Sequence, residues 1–278
     1  MPRHLVPGGF ANAGPCLSAS SVKWPIHTLV FDLDDTLYAE SEFVLSGFRA
    51  AGEWLQLHHR IDGFFAAASA LFGSGLRGTI FDQALMELRG KGSASERSHK
   101  RSVEGVTSEG PAAEVVRELV KVYREHMPRI ALLPDAADCL NWAAGERFNL
   151  ALLTDGYAAV QRNKIAALGL ATRFASCIVT DELGRAHWKP SPQGFRKIMA
   201  EVGGEPGGFV YIADNPRKDF IAPRSLGWKT VRIRREGGEH ASYEPSAGEA
   251  ADREVSSLME LKSFMQSTAR SKSPSTSK

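Results

Sequence analysis

The residues best suited to chemistry lie in Phe31-Asp32-Leu33-Asp34-Asp35-Thr36-Leu37, where two alternate aspartates follow directly on the apolar run Leu29-Val30-Phe31. Carboxylates this close repel one another, and a fold tolerates them only where a cation or a shared proton compensates the charge. A polar loop capping the next helix is the plainer explanation, because Asp and Thr favour such positions. Three more segments weigh against it. Leu152-Leu153-Thr154-Asp155-Gly156 puts a hydroxyl at a strand end, and Gly156 permits a tight turn into a helix. Thr154 and the first amides of that helix would form a phosphate cradle. In Trp188-Lys189-Pro190-Ser191-Pro192, Lys189 precedes a helix start, where the dipole disfavours a cation. Such a local conflict often marks function. In the segment from Val210 to Asp219, Asp214 ends an apolar run and Asp219 follows five residues on.

These residues need a scaffold that brings them together. Apolar runs at 28–31, 150–153, 177–179, 209–212 and 230–233 suit strands covered on both faces. Helical patterns separate most of them, at 158–168, 192–202 (capped by Ser191, with Pro192 in its first turn) and 255–265, where Val255, Leu258 and Met259 would pack on the sheet. The alternation predicts an α/β fold with a doubly wound, mainly parallel, Rossmann-like sheet. More than a hundred residues part the first two strands, too many for one crossover. Helical patterning at 43–57, 63–72, 79–88 and 111–126 predicts an inserted helical cap domain over 40–130, with a flexible loop at 90–110. The core domain would comprise 24–39 and 131–266, flanked by a disordered leader at 1–23 and a disordered tail at 267–278. No internal repeat is apparent.

In an open α/β sheet, ligands bind beyond the carboxyl ends of the strands. Asp32, Asp34, Thr154 and Asp214 all fall at such ends, with Lys189 and Asp219 in following loops. One convergent site accounts for the four segments together. Its acids demand a hard cation, and all-oxygen ligation with retained waters is what Mg²⁺ prefers. Mg²⁺, Lys189, Thr154 and backbone amides would together receive a phosphate group.

In this order, DxDxT (Asp32, Asp34, Thr36), the strand-end Thr154, the loop Lys189 and the pair DxxxxD (Asp214, Asp219) resemble the haloacid dehalogenase superfamily of phosphohydrolases. The match spans approximately residues 26–235, with a helical cap inserted directly after the first motif. The resemblance implies that Asp32 attacks phosphorus and becomes an aspartyl phosphate. Asp34 would protonate the leaving oxygen and then activate water. Mg²⁺ would be held by Asp32, the Asp34 carbonyl and Asp214. Thr154, Asp155, Gly156 and Lys189 would bind phosphate, Asp219 would orient a metal water or Lys189, and Thr36 would buttress the loop. Two positions depart from the usual pattern: Asp155 stands where Asn is common, and Ala213 where Gly is usual. Asp155 would point to solvent, bind a substrate hydroxyl or weaken binding of simple phosphates.

The expected reaction is Mg²⁺-dependent hydrolysis of a small phosphate ester, such as a sugar phosphate or nucleotide. A phosphomutase would share the same intermediate. Halide displacement needs neither the metal nor Asp34, so the full acid set disfavours it. A non-catalytic binding module would not need that set at all. The cap would set substrate choice, with Tyr38, Phe43, Arg77 and Tyr157 as candidate lining residues; Arg77 is more readily an ordinary surface arginine.

The remaining composition excludes other classes. A net charge of +2 over 278 residues gives no argument for nucleic acid or an acidic membrane. Lys229, Arg232, Arg234 and Arg235 read as the solvated face and end of a strand. The histidines, including His58, His59 and His187, show no ligand spacing. Cys16, Cys139 and Cys177 lack metal-type spacing and suit a reducing, cytoplasmic setting. No apolar run approaches the roughly 20 residues of a membrane span. The expected partner is thus a small-molecule phosphate ester, and no segment specifies an oligomeric state.

Overall fold

Each of the five expected apolar runs forms a strand in the computed structural model, which describes residues 26–92 and 111–270. The strands are β1 (Thr28–Phe31), β2 (Asn149–Thr154), β3 (Ser176–Val179), β4 (Phe209–Ala213) and β5 (Lys229–Ile233), joined by a short edge strand, β6 (Arg253–Val255). They lie in the order β3-β2-β1-β4-β5-β6, and every pairing is parallel. β1 is therefore the point where the strand order reverses, and the crevice at the carboxyl ends of β1 and β4 is where such sheets bind ligands.

Strand residues alternate between two buried faces. Leu29, Phe31, Leu150, Leu152, Val210 and Ile212 join one apolar cluster. It is covered by α5 (Pro134–Gly145), α6 (Ala158–Ala167) and α10 (Met259–Arg270). Val30, Ala151, Leu153, Phe209 and Tyr211 join the other, against α7 (Gln193–Val202) and α9 (Ile221–Ser225). Between β4 and α9 lies the single-turn α8 (Pro216–Asp219).

The long excursion after β1 is helical: α1 (Glu40–His59), α2 (Phe64–Gly73), α3 (Ile80–Gly92) and α4 (Pro111–Glu125). Phe48, Ala51, Leu55, Phe64, Ala84 and Leu119 build an apolar cluster of their own there, apart from both sheet faces. Glu40 N–H donates to Asp35 Oδ1 at 2.8 Å, so a carboxylate of the first motif caps the entry to this excursion. Asp35 reaches that position from a left-handed backbone, φ 49°.

Several expectations change. Val255 ends β6 instead of starting a helix; α10 begins at Met259, whose side chain is exposed, and Leu258 supplies the contact with the sheet. The run Arg253-Glu254-Val255 has only one buried residue, so it carries no apolar signal of a strand. The helix after Ser191 starts at Gln193, with Ser191 Oγ accepting from Gln193 N–H at 3.4 Å. Residues 90–92 continue α3 and 267–270 continue α10. The rest of the expected loop 90–110 (93–110), the leader 1–23 and positions 271–278 of the tail lie outside the described residues. Arg232 is not solvated: it is 1% exposed. Its guanidinium donates to the carbonyls of Asp214, His240 and Tyr243 and pairs with Glu254. Among the described residues, no helix is long and apolar enough to cross a membrane.

Candidate functional site

The pairing Phe31↔Ile212 sets Asp32 and Asp214 side by side, each one residue beyond its strand. Asp32 N–H donates to the Ile212 carbonyl at 2.8 Å, which fixes the start of the loop. Asp219 returns to the same place from the end of α8. Carboxylate oxygens of Asp32, Asp214 and Asp219 lie within 4.8 Å of one another.

Lys189 enters this acid cluster with its side chain fully buried. Its Nζ lies 2.8 Å from Asp32 Oδ1 and 2.7 Å from Asp219 Oδ1, and it donates to the Tyr211 hydroxyl at 2.9 Å. All three ammonium hydrogens are thereby used. Burial disfavours the ammonium, but the charges of Asp219 and Asp32 outweigh it and hold Lys189 well above the ordinary lysine value. Asp32 is raised to about 6, chiefly by burial, with Lys189 pulling down and Asp219 pushing up. Asp214 is raised well above the usual range by burial and by Asp219 and Asp32.

Asp34 faces the other way, toward α6. Its Oδ1 is 2.7 Å from Lys164 Nζ and accepts from the Tyr38 hydroxyl, while its Oδ2 accepts from Gln161 Nε2 at 3.0 Å. Burial would raise Asp34, yet the charge and hydrogen bonds of Lys164, with those of Tyr38 and Gln161, hold it below the ordinary value. Glu40, 3.9 Å from Lys164, is raised to about 8, first by the charge of Asp34 and then by burial.

Thr154 is buried, and its Oγ1 accepts from Gln161 Nε2 at 2.6 Å. Gly156 turns the chain with φ 126°, and a Cβ there would sit 3.2 Å from Gln161. The phosphate cradle differs from expectation at the helix start, because Ala158 N–H donates to Asp181 at 3.0 Å. Asp155 does not point to solvent. Its carboxylate accepts from the Thr180 hydroxyl at 2.6 Å and from Lys189 N–H at 3.1 Å, and it pairs with Lys218 at 3.3 Å. Burial opposes its charge, but Lys189 and Lys218 hold its pKa low. Thr36 is fully buried, and its hydroxyl has no partner among the described residues, while its carbonyl accepts from Arg235.

A cleft of about 280 Å³ is bordered by Asp32, Asp34, Asp155, Gly156, Lys189, Asp214 and Lys218, whereas Thr154, expected to bind phosphate, is buried and does not line it. A second cavity, of about 470 Å³, adjoins it through Asp35 and Glu40 and extends to Phe72, Arg77, Arg235 and Glu239. Of the candidate lining residues, only Arg77 borders either space. Its guanidinium donates to the Phe72 and Leu76 carbonyls and stacks 4.1 Å from the Phe72 ring. Tyr38 and Phe43 are buried behind Asp34 and Lys164. Tyr157 is exposed, with its ring edge-on to Trp188, which does border the cleft.

Sequence reasoning missed Gln161, Lys164, Tyr211 and Lys218. A signal existed for two of them: Gln161, Lys164, Ile165 and Leu168 fall at i, i+3, i+4, i+7, so two polar residues occupy an apolar stripe, and all four are buried.

The donor set fits a hard dication. Asp32, Asp34, Glu40, Asp155, Asp214 and Asp219 face Lys164, Lys189 and Lys218, so carboxylates outnumber ammonium groups. Among the described residues, no side-chain donor reaches the Asp214 carboxylate. Such a surplus repels an entering phosphate unless a cation offsets it.

A family model described as haloacid dehalogenase-like hydrolase matches residues 26–227. The chain is 30% identical over 228 residues to a phosphoserine phosphatase of Thermus thermophilus, covering 74% of this chain and 88% of that protein. It is 27% identical over 228 residues to a glyceraldehyde 3-phosphate phosphatase of Methanopyrus kandleri, with coverage of 79% and 88%. Among solved structures, the magnesium-bound HAD-hydrolase YfnB of Bacillus subtilis matches with a TM-score of 0.54 at 18% identity, covering 86% of this chain and 98% of that one. This last likeness is one of fold.

Proposed function

The chain belongs to the haloacid dehalogenase-like hydrolase family and is a phosphatase, and on that basis we propose that it hydrolyses monophosphate esters of small metabolites with Mg²⁺, through an aspartyl phosphate on Asp32. The observation that carries this is the position of Asp32: Lys189 holds its Oδ1 while it borders a cleft shared with Asp34 and Asp214. Oδ2 is then the oxygen left to attack phosphorus.

Asp32, Asp214 and the Asp34 backbone carbonyl would hold Mg²⁺, with Asp219 fixing Lys189 beside them. When bound, the ion offsets the charge of the phosphoryl oxygens, as in phosphoryl transfer generally. The chain does the rest. Asp32 forms a bond to phosphorus as the ester P–O bond breaks, and Asp34 gives its proton to the departing alkoxide. Asp34, now a carboxylate, takes a proton from water as that water attacks phosphorus. Inorganic phosphate leaves, Asp32 regains its charge, and Asp34 regains its proton. The Lys164 contact favours the ionised Asp34 that the second half-reaction needs; for the first, Asp34 must take up a proton once substrate is bound.

We read the α1–α4 cluster as a cap that bounds the larger cavity, where the alcohol part of the ester would sit. The relatives' named substrates, phosphoserine and glyceraldehyde 3-phosphate, are small esters compatible with a space of about 470 Å³. Phosphate release from a panel of metabolite phosphates, with Mg²⁺ and with excess chelator, tests the proposal. Hydrolysis of at least one small ester that stops on chelation is expected; equal rates without the metal would remove Mg²⁺ from it.

A further inference from the structure

Building on the aspartyl-phosphate route above, we propose that Gln161 and Lys164 are positioning residues that set the orientation of Asp34 and tie it to the buried hydroxyl of Thr154. Both project from one turn of α6, three residues apart, and are 1% and 3% exposed. Burying a lysine ammonium and a side-chain amide costs free energy, so their partners must account for their presence.

The short contacts converge on the Asp34 carboxylate, with Glu40 farther from Lys164 at 3.9 Å. Lys164 Nζ meets Asp34 Oδ1 at 2.7 Å, with the Phe43 ring centroid 4.3 Å away closing its other side. Gln161 Nε2 meets Asp34 Oδ2 at 3.0 Å. A carboxylate only accepts, so the amide nitrogen is the atom that faces it. The second amide hydrogen goes to Thr154 Oγ1 at 2.6 Å. Because Thr154 accepts there, its own hydroxyl hydrogen is left to donate, and its contact with the Asp155 carbonyl is long, 3.5 Å. α6 thus fixes both oxygens of Asp34 and joins them to the buried Thr154 hydroxyl. The brace leaves Asp32 and Lys189 untouched, so it acts on proton transfer and not on nucleophilic attack.

That separation gives a test. Lys164→Met, Lys164→Arg and Gln161→Met would be compared with the wild-type enzyme on p-nitrophenyl phosphate and on glycerol 2-phosphate, by rapid quench and steady state with Mg²⁺. The nitrophenolate leaves without a proton donor, whereas the alkoxide needs one. For Lys164→Met we expect about 100-fold loss of kcat on the alkyl ester with KM within about threefold, in line with the usual contribution of a positioned acid–base group. On p-nitrophenyl phosphate, Lys164→Met should release a burst of nitrophenol near one equivalent before slow turnover, because phosphorylation survives and water activation does not. Gln161→Met should show the same pattern more weakly. Lys164→Arg, which keeps the charge, should recover most of the rate. Equal losses on both esters without a burst, or wild-type rates, would overturn the inference. Should Lys164→Met fail to fold, Gln161→Met and Lys164→Arg carry the same comparison. A wild-type enzyme inactive on these esters and on every member of the metabolite panel would instead sink the phosphatase route itself, and this inference with it.

Discussion

Lys189 Nζ stands 2.8 Å from Asp32 Oδ1 with its side chain wholly buried. One ammonium therefore binds the candidate nucleophile and the equally buried Asp219, from which it is 2.7 Å. Breaking a buried ionic cluster by removing one partner leaves an uncompensated charge and costs about 3–5 kcal/mol. Lys189→Met should accordingly lose that much stability in urea unfolding, together with phosphatase activity. A variant as stable as wild type would show that Asp219 finds another partner.

Asp155 and Lys218 face each other at 3.3 Å across the cleft wall. Asp155→Asn keeps an acceptor for Thr180 and for Lys189 N–H but removes the charge opposite Lys218. The freed ammonium should bind anions better, lowering the inhibition constant of inorganic phosphate by about threefold with little change in kcat, an effect that salt would reduce. Weaker phosphate inhibition in the variant would contradict this.

Asp135 accepts from Arg235, from Ser257 and from Leu258 N–H, and so ties the start of α10 to the core. Burial opposes its charge, but these hydrogen bonds hold its pKa below the ordinary value of 3.8. A depressed carboxyl stabilises the fold above its unfolded pKa, and that stability is lost as pH falls through the folded one. Wild type should therefore lose stability below pH 3.8 more steeply than Asp135→Asn, as followed by urea midpoints against pH. Parallel curves for the two proteins would remove Asp135 from the account.

Arg77 spends its guanidinium on two carbonyls and the Phe72 ring. Arg77→Ala should cost about 0.5–1 kcal/mol of stability, the scale of an exposed cation–π contact. KM for small phosphate esters should stay within about twofold, since the two carbonyl bonds from Nη1 and the Phe72 ring hold the guanidinium against α2. A tenfold rise in KM would return Arg77 to substrate binding.

The apolar runs 28–31 and 209–212 were legible because both strands are buried on two faces, which leaves no polar alternation to confuse them. Their parallel pairing, which the runs alone do not specify, then sets Asp32 beside Asp214. β6 was not legible: its short edge run exposes Arg253 and Glu254, so no periodicity marks it. Arg232 was misread for a related reason, since a strand arginine looks solvated until the carbonyls of the 240–243 segment are folded over it. Gln161 and Lys164 stood on a readable apolar stripe, but their target, Asp34, lies more than 120 positions away in the chain. Only the tertiary packing of α6 on the site joins them.

The most direct measurement is the identity of the phosphorylated side chain. An acid-quenched reaction, reduced with borohydride to convert an acyl phosphate into homoserine, would be mapped by peptide mass spectrometry. Homoserine should appear at position 32 in turnover with Mg²⁺ and be lost in Asp32→Asn, which should also be inactive yet folded. Modification at Asp34 or Asp214, or full activity in Asp32→Asn, would contradict the mechanism at its root.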